Sequence, residues 1–406
     1  MFAHALIVAL LSAAAHACTG TVSSLTDVAA AVACTTINVN GFTVPAGQTF
    51  TLNLLAGTTV NIRKIHFPFA KDESQGHFLV GDITFGEKNW GGPLFSITLA
   101  ASRFCCFTML TITPHSTVAP TLPAINGNGH TFNGNGQFYW DGKGSSSGAT
   151  TKPRPMMKVK TSGTFSNLKI LNSPAQVFSV DNAAPLTISG ITIDDYTKEA
   201  NRRSIALGDQ ANTMSGGKPA GANTDGFDVG NQAPLTITGC TVENQDDCIA
   251  INSGTNVVFT SNHCSGGHGI SIGSIDTGDV VSNITISNNV ITSGANGLRI
   301  KTIATATSAT VSGVTYSGNT VSGVSQFGLL IDQSYPATLG TPGNGVIISG
   351  INFVGTNTFT IASGVTPVAV NCGSGSCQGT WNWSGLKVSG GAANKINYSG
   401  ITGFSE

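Results

Sequence analysis

The chain reads as an all-β, single-domain solenoid on three observations: β-branched runs that return at a near-constant interval, turn residues after each run, and a sparse charge. From about residue 165 the runs are Leu186 to Ile193, Leu235 to Val242, Val257 to Thr260, Ile284 to Ser287, Val311 to Tyr316 and Val346 to Phe353, mostly about 22 to 35 residues apart. Turn signals follow them, as in Ser287-Asn288-Asn289 and Ser317-Gly318-Asn319. A repeat of this length marks a solenoid. Charged residues make up 10% of the chain, against roughly 25% in ordinary globular proteins. With 51 glycines and no sustained 3.6-residue apolar period, helical solenoids are excluded. Propeller blades need roughly 40 residues each, so the short intervals disfavour them too. The Gly127-Asn128-Gly129 and Gly134-Asn135-Gly136 stretches are turn glycines rather than a nucleotide loop, because no helix follows them.

The first residues and the cysteines point to an expected compartment. Residues 1–17 carry an apolar run, Ala5 to Leu11, and close on Ala15-His16-Ala17, a small-x-small cleavage pattern. They read as a secretory signal, too short to span a bilayer, which leaves 18–406 as the folded domain. Nine cysteines suit an oxidising, extracellular setting, and the odd count leaves at least one unpaired. Spacing suggests the local pairs Cys18 with Cys34, Cys248 with Cys264, and Cys372 with Cys377. Cys240 sits in an apolar strand pattern and reads as a buried thiol, while Cys105 and Cys106 have no assignment. A zinc site from Cys248, Cys264, His263 and His268 fits no common spacing. Sequons stand at Asn283, Asn382 and Asn397, to be glycosylated if exposed. The net charge of −1 gives no reason to expect nucleic acid or a membrane surface as a partner.

Four polar clusters break the low-charge background: Asn223-Thr224-Asp225, Gln245-Asp246-Asp247-Cys248, Gly267-His268-Gly269 and Arg299-Ile300-Lys301. Asp225 to Asp246 is 21 residues and Asp246 to His268 is 22, about one coil each, so stacking at about 4.8 Å brings them to one face. Period-two alternation sends Arg299 and Lys301 to the same side, with Ile300 inward, and two fixed cations suit an anionic sugar. Asp246 and Asp247 share one cleft only at a turn or bulge, which puts them at a strand end. Crowded carboxylates oppose each other's ionisation, so one stays protonated into the mildly acidic range beside ionised neighbours. Glycoside hydrolysis needs that division between an acid and a base.

Each residue alone has a plainer reading. Asp225 in a Gly-rich turn resembles an Asx turn, His268 a loop histidine, and Arg299 with Lys301 a solvated strand face. Their joint alignment at coil spacing is what the plain readings fail to explain.

In this order, the four clusters resemble the signature motifs of the polygalacturonases, family 28 of the glycoside hydrolases. The flanking Gly226-Phe227-Asp228-Val229-Gly230, Ile270-Ser271-Ile272-Gly273-Ser274 and Tyr139-Trp140-Asp141-Gly142 resemble secreted fungal members, and the similarity covers most of the chain from Cys18. The resemblance implies a right-handed parallel β-helix and inverting hydrolysis of α-1,4-galacturonan, without cofactor or metal. It implies Asp246 as general acid, Asp225 and Asp247 as the pair that holds and activates water, and His268 as the residue that tunes their protonation. Arg299, Lys301, Asn223 and Tyr335 would contact substrate. It also suggests plant inhibitor proteins as partners, and it agrees with the pairs Cys248 with Cys264 and Cys372 with Cys377; a monomer is expected.

Three segments depart from the pattern, near 61–80, 99–124 and 196–214. They carry Arg63, Lys71, Arg103, Lys198 and Arg203 among other charged residues, so their composition differs from the rest. They are expected either to loop out of the solenoid or to be translated introns, which the transcript would reveal. The other activities weighed are exo-polygalacturonase, rhamnogalacturonan or xylogalacturonan hydrolase, a calcium-dependent pectate lyase and a non-catalytic cell-wall binder; endo action is expected.

Overall fold

β-Branched and aromatic residues at every second position build strands that pair one coil on, always in parallel along the solenoid. The computed structural model describes residues 16–63, 82–99, 122–195, 214–215, 218–219 and 221–404. The expected leader, apart from His16 and Ala17, lies outside these residues, as do Cys105, Cys106 and most of the three atypical segments.

The result is the expected right-handed parallel β-helix. Each coil has three strand faces, as in Phe227–Gly230, Leu235–Thr238 and Thr241–Glu243. Down the first face, Phe227, Ile249, Ile270, Leu298, Leu329 and Val368 stack in register pointing inward, and all are fully buried. Burying side chains of this size contributes roughly 1.5–3 kcal/mol each. The neighbouring column, Asp228, Ala250, Ser271 and Arg299, points out and builds the floor of the site.

The runs Leu186 to Ile193 and Leu235 to Val242 each prove to be two strands. Leu186–Ser189 turns into Thr192–Asp194, and Leu235–Thr238 into Thr241–Glu243. Gly190 and Gly239 make these corners at φ of 60° and 63°, where a Cβ is strained. Cys240 is a buried free thiol, but it sits in this corner rather than within a strand.

The same corner position changes chemistry along the axis. It holds Leu168, Ile191 and Cys240 in three successive coils, then Asn262, Asn289, Asn319 and Asn357, all buried. Each asparagine Oδ1 accepts from the backbone N–H before it: Cys240 to Asn262 at 2.9 Å, Asn262 to Asn289 at 2.9 Å, Asn289 to Asn319 and Asn319 to Asn357 at 3.1 Å. The amide nitrogens donate to backbone carbonyls of the preceding coil, as Asn289 does to Phe259 at 3.0 Å. A buried polar ladder of this kind satisfies every rung.

Both ends are covered. The short helix Val28–Ala31 seats Ala31 against Gly20, where a Cβ would meet backbone at 2.5 Å. At the other end, Trp381 and Trp383 are buried beneath Tyr398 and Phe404. Disulfides join Cys18 to Cys34, Cys248 to Cys264 and Cys372 to Cys377. Among the described residues no helix is long and apolar enough to cross a membrane.

The strands beside the atypical segments keep coil register. Asn40 and Phe42 are two positions apart, whereas their partners Arg63 and Ile83 are twenty apart. Likewise Leu171 and Phe178 pair with Asp194 and Phe227, so a span of seven residues becomes one of thirty-three.

Candidate active site

Asp246 and Asp247 lie where the turn after Thr241–Glu243 enters the strand Asp247–Thr260. Against the next coil, Asp247 pairs with Gly269 but Ile249 pairs with Ile270. Cys248 is therefore an extra residue, a bulge that lets both carboxylates face one cleft, and its disulfide to Cys264 pins it. Asn244 ties the turn down by donating to the carbonyls of Thr224 at 2.7 Å and Asp247 at 2.9 Å.

The glycines around His268 have a steric reason. A Cβ on Gly267 would stand 1.9 Å from the carbonyl oxygen of Asp246, and Gly269 has φ of 87°. This close approach lets His268 hold Asp246 twice. Its backbone N–H donates to the Asp246 carbonyl at 2.8 Å, and its ring Nδ1 lies 2.8 Å from Asp246 Oδ1. Asn223 Nδ2 donates to the other oxygen, Oδ2, at 3.1 Å.

Ile300 is fully buried, so Arg299 and Lys301 emerge together on the outer side. Both reach Asp247: the Arg299 guanidinium and Ser271 Oγ, at 2.7 Å, donate to Oδ1, while Lys301 Nζ donates to Oδ2 at 2.9 Å. Lys301 Nζ also stands 5.2 Å from the Tyr335 ring centroid.

These contacts separate the carboxyls by charge. Burial pushes Asp247 up, but Arg299, Lys301 and His268 outweigh it and hold its pKa at about 2. Asp225 is raised well above the ordinary value, first by burial and then by Asp246, Asp228 and Asp247. Asp228 is raised to about 7 by burial and by Asp247 and Asp246. Burial lowers His268, yet the hydrogen bond and charge of Asp246 prevail and its pKa is raised. The cluster thus carries protonated and ionised carboxyls side by side, the condition for general acid and base work.

All eight residues expected to meet substrate or do chemistry line one cleft of about 260 Å³: Asn223, Asp225, Asp246, Asp247, His268, Arg299, Lys301 and Tyr335. Sequence reasoning passed over Asp228, Gln176 and Asn252, which also line it, and Ser271. Asp228 was accessible, since alternation in Phe227-Asp228-Val229 turns it outward. Asp246, Asp247 and His268 offer ligand atoms within 4.8 Å of one another. Asp247 is already paired with two cations, however, Arg299 and Lys301, which occupy both of its oxygens. Asn283, Asn382 and Asn397 are all exposed, although the Asn397 amide is also engaged with the Cys372 backbone at 2.8 and 2.9 Å.

The family model described as glycosyl hydrolases family 28 matches residues 114–403. The chain is 39% identical to Polygalacturonase 2 of Penicillium olsonii, over 88% of this chain and 81% of that protein. It is 36% identical to Endopolygalacturonase I of Aspergillus aculeatus, over 88% and 80%. Among solved structures, Endopolygalacturonase I from Stereum purpureum, complexed with two galacturonates, shares 42% identity. Its TM-score is 0.76, with 94% of this chain and 98% of that one covered. An endo-xylogalacturonan hydrolase from Aspergillus tubingensis shares the fold at 21% identity and a TM-score of 0.58, over 95% and 98%.

Proposed function

The chain belongs to family 28 of the glycosyl hydrolases, and from that membership we infer that it hydrolyses α-1,4-galacturonosidic bonds of polygalacturonan, cutting within the polymer. The observation that carries this is a cluster of aspartates in one cleft with two cations fixed beside it. Relatives that match over most of their length are endo-acting by description, which favours internal cleavage over exo action and over the sister hydrolases.

Asp246 is the general acid: its carboxyl is aimed by His268 and Asn223, and its proton goes to the leaving glycosidic oxygen as the bond to the anomeric carbon breaks. Asp225 and Asp247 hold the attacking water. Asp225, with its raised pKa, orients it by hydrogen bonding, and Asp247, ionised, receives its proton. Attack opposite the leaving group inverts the anomeric centre. His268 carries positive charge into a less acidic range than a free imidazole and so governs how Asp246 shares its proton. Arg299 and Lys301 bind uronate carboxylates, with Tyr335 beside them. No step uses a cofactor.

The enzyme acts outside the cell, in keeping with the three disulfides. It works as a monomer, and plant inhibitor proteins are the partners its family resemblance suggests.

Sizing the products from polygalacturonate over time tests this reading. Oligomers of mixed length should appear first. Galacturonate alone from the outset would overturn endo action, and an unsaturated product absorbing in the ultraviolet would replace hydrolysis with elimination.

A further inference from the structure

A second hollow, of about 240 Å³, opens on the N-terminal side of the cleft and is lined by Ser145, Ser146, Thr150, Thr151, Lys152 and Arg154. It adjoins the cleft. The Ser145 backbone N–H donates to Asn223 Oδ1 at 3.0 Å, and Gln176 Nε2 donates to Ser145 Oγ at 3.1 Å; Asn223 and Gln176 both line the catalytic cleft.

The loop that forms the hollow is closed by Asp141. Its Oδ1 accepts from the Lys143 backbone at 3.0 Å and Lys152 Nζ at 2.9 Å, and its Oδ2 from the Thr150 backbone at 2.6 Å. Lys152 is thereby buried and neutralised. Arg154 is different: it is exposed and makes no ion pair with any described residue, beside four hydroxyls able to donate or accept.

Coil register gives its place along the axis. Met157 pairs with Phe178, Phe178 with Phe227, and Phe227 with Ile249. At about 4.8 Å per coil, Arg154 stands roughly 10 Å along the axis from the coil of Asp225. Arg299 and Lys301 lie on the other side, two coils beyond Asp247.

We propose that this hollow is a distal subsite for a galacturonate carboxylate, with Arg154 as its cation, across the scissile bond from Arg299 and Lys301. It rests on the polygalacturonan reading. A single chain would then be held by fixed positive charge on both sides of the bond that breaks, and the bidentate guanidinium would select a free carboxylate over its ester.

The test compares kcat/KM of the wild type and Arg154→Gln on galacturonate oligomers of increasing length. The loss should grow with length, reaching about 10-fold on the hexamer but at most about 2-fold on the trimer, and Arg154→Lys should recover part of it. An equal loss at every length, or none on the hexamer, overturns the proposal. Hexamer binding, measured by calorimetry in an Asp246→Asn background, separates it from the parent reading. Binding weakened about 10-fold by Arg154→Gln supports the subsite even if turnover fails, and unchanged binding sinks it.

Discussion

The coils before Cys240 and those after it share one register but solve their corner differently. Leu168 and Ile191 fill it with hydrocarbon, whereas Asn262, Asn289, Asn319 and Asn357 fill it with a hydrogen-bonded ladder. The atypical segments interrupt the first region, and most of the chemistry sits over the second. An apolar corner packs by volume and tolerates variation. A polar ladder must be satisfied at each rung, and so fixes the rise from coil to coil in the coils that carry Asp247, Arg299 and Lys301. The difference teaches that the coils carrying the site are registered at another corner, between the second and third strand faces, as well as by the site's own contacts.

The largest effect should come from Asp246→Asn. Loss of the general acid lowers turnover of polygalacturonate by about 10³-fold, with melting temperature within a few degrees of wild type because the amide has the same shape and its oxygen still accepts on one side. A comparable fall in melting temperature would show that the carboxyl supports the fold instead.

The ladder comes next. Asn289→Ala strands the Asn262 backbone N–H and the Phe259 carbonyl, and should destabilise by about 2–4 kcal/mol in denaturant unfolding. Asn289→Leu should fare no better, since volume is not what is missing. Leu168→Met, in the apolar corner, should cost under about 1.5 kcal/mol. Equal tolerance at both positions would erase the distinction between the regions.

The smallest effect is pH dependence. Asp225, Asp228 and Asp195 have raised carboxyl pKa values in the fold, Asp195 chiefly through burial. The folded chain therefore keeps protons that the unfolded chain releases, and stability falls as pH rises from about 4 toward 7. Asp247 acts in the opposite sense: its pKa of about 2 contributes stability above the ordinary carboxyl value that is lost on acidification. Melting temperature should thus peak near pH 4. Asp195→Asn, in the last coil of the apolar region, should flatten the fall between pH 4 and 7; an unchanged slope would assign that fall to other groups.

Much of this was legible in the sequence because the signals were local. Alternation around Ile300 placed Arg299 and Lys301 together, and the adjacency of Asp246 and Asp247 demanded the bulge that Cys248 provides. What stayed hidden depends on register between coils. Nothing near Asp247 in the chain says that both cations turn to it, and nothing near Asp228 says that Ala250 and Ser271 continue its column to Arg299. The asparagines were readable as turn residues, but their ladder needs partners about thirty positions away. Likewise, Gly190 and Gly239 hide corners inside what read as unbroken runs.

The pairing of Asp247 with Arg299 and Lys301 has a consequence for selectivity on the roles proposed above. A uronate carboxylate that docks on these cations competes with Asp247 for their charge, and so strengthens the base at the moment substrate arrives. A methyl ester in the same place brings no such charge and leaves the base muted. Discrimination between acid and ester is then exercised in the chemical step, as a key that must carry current as well as fit the lock.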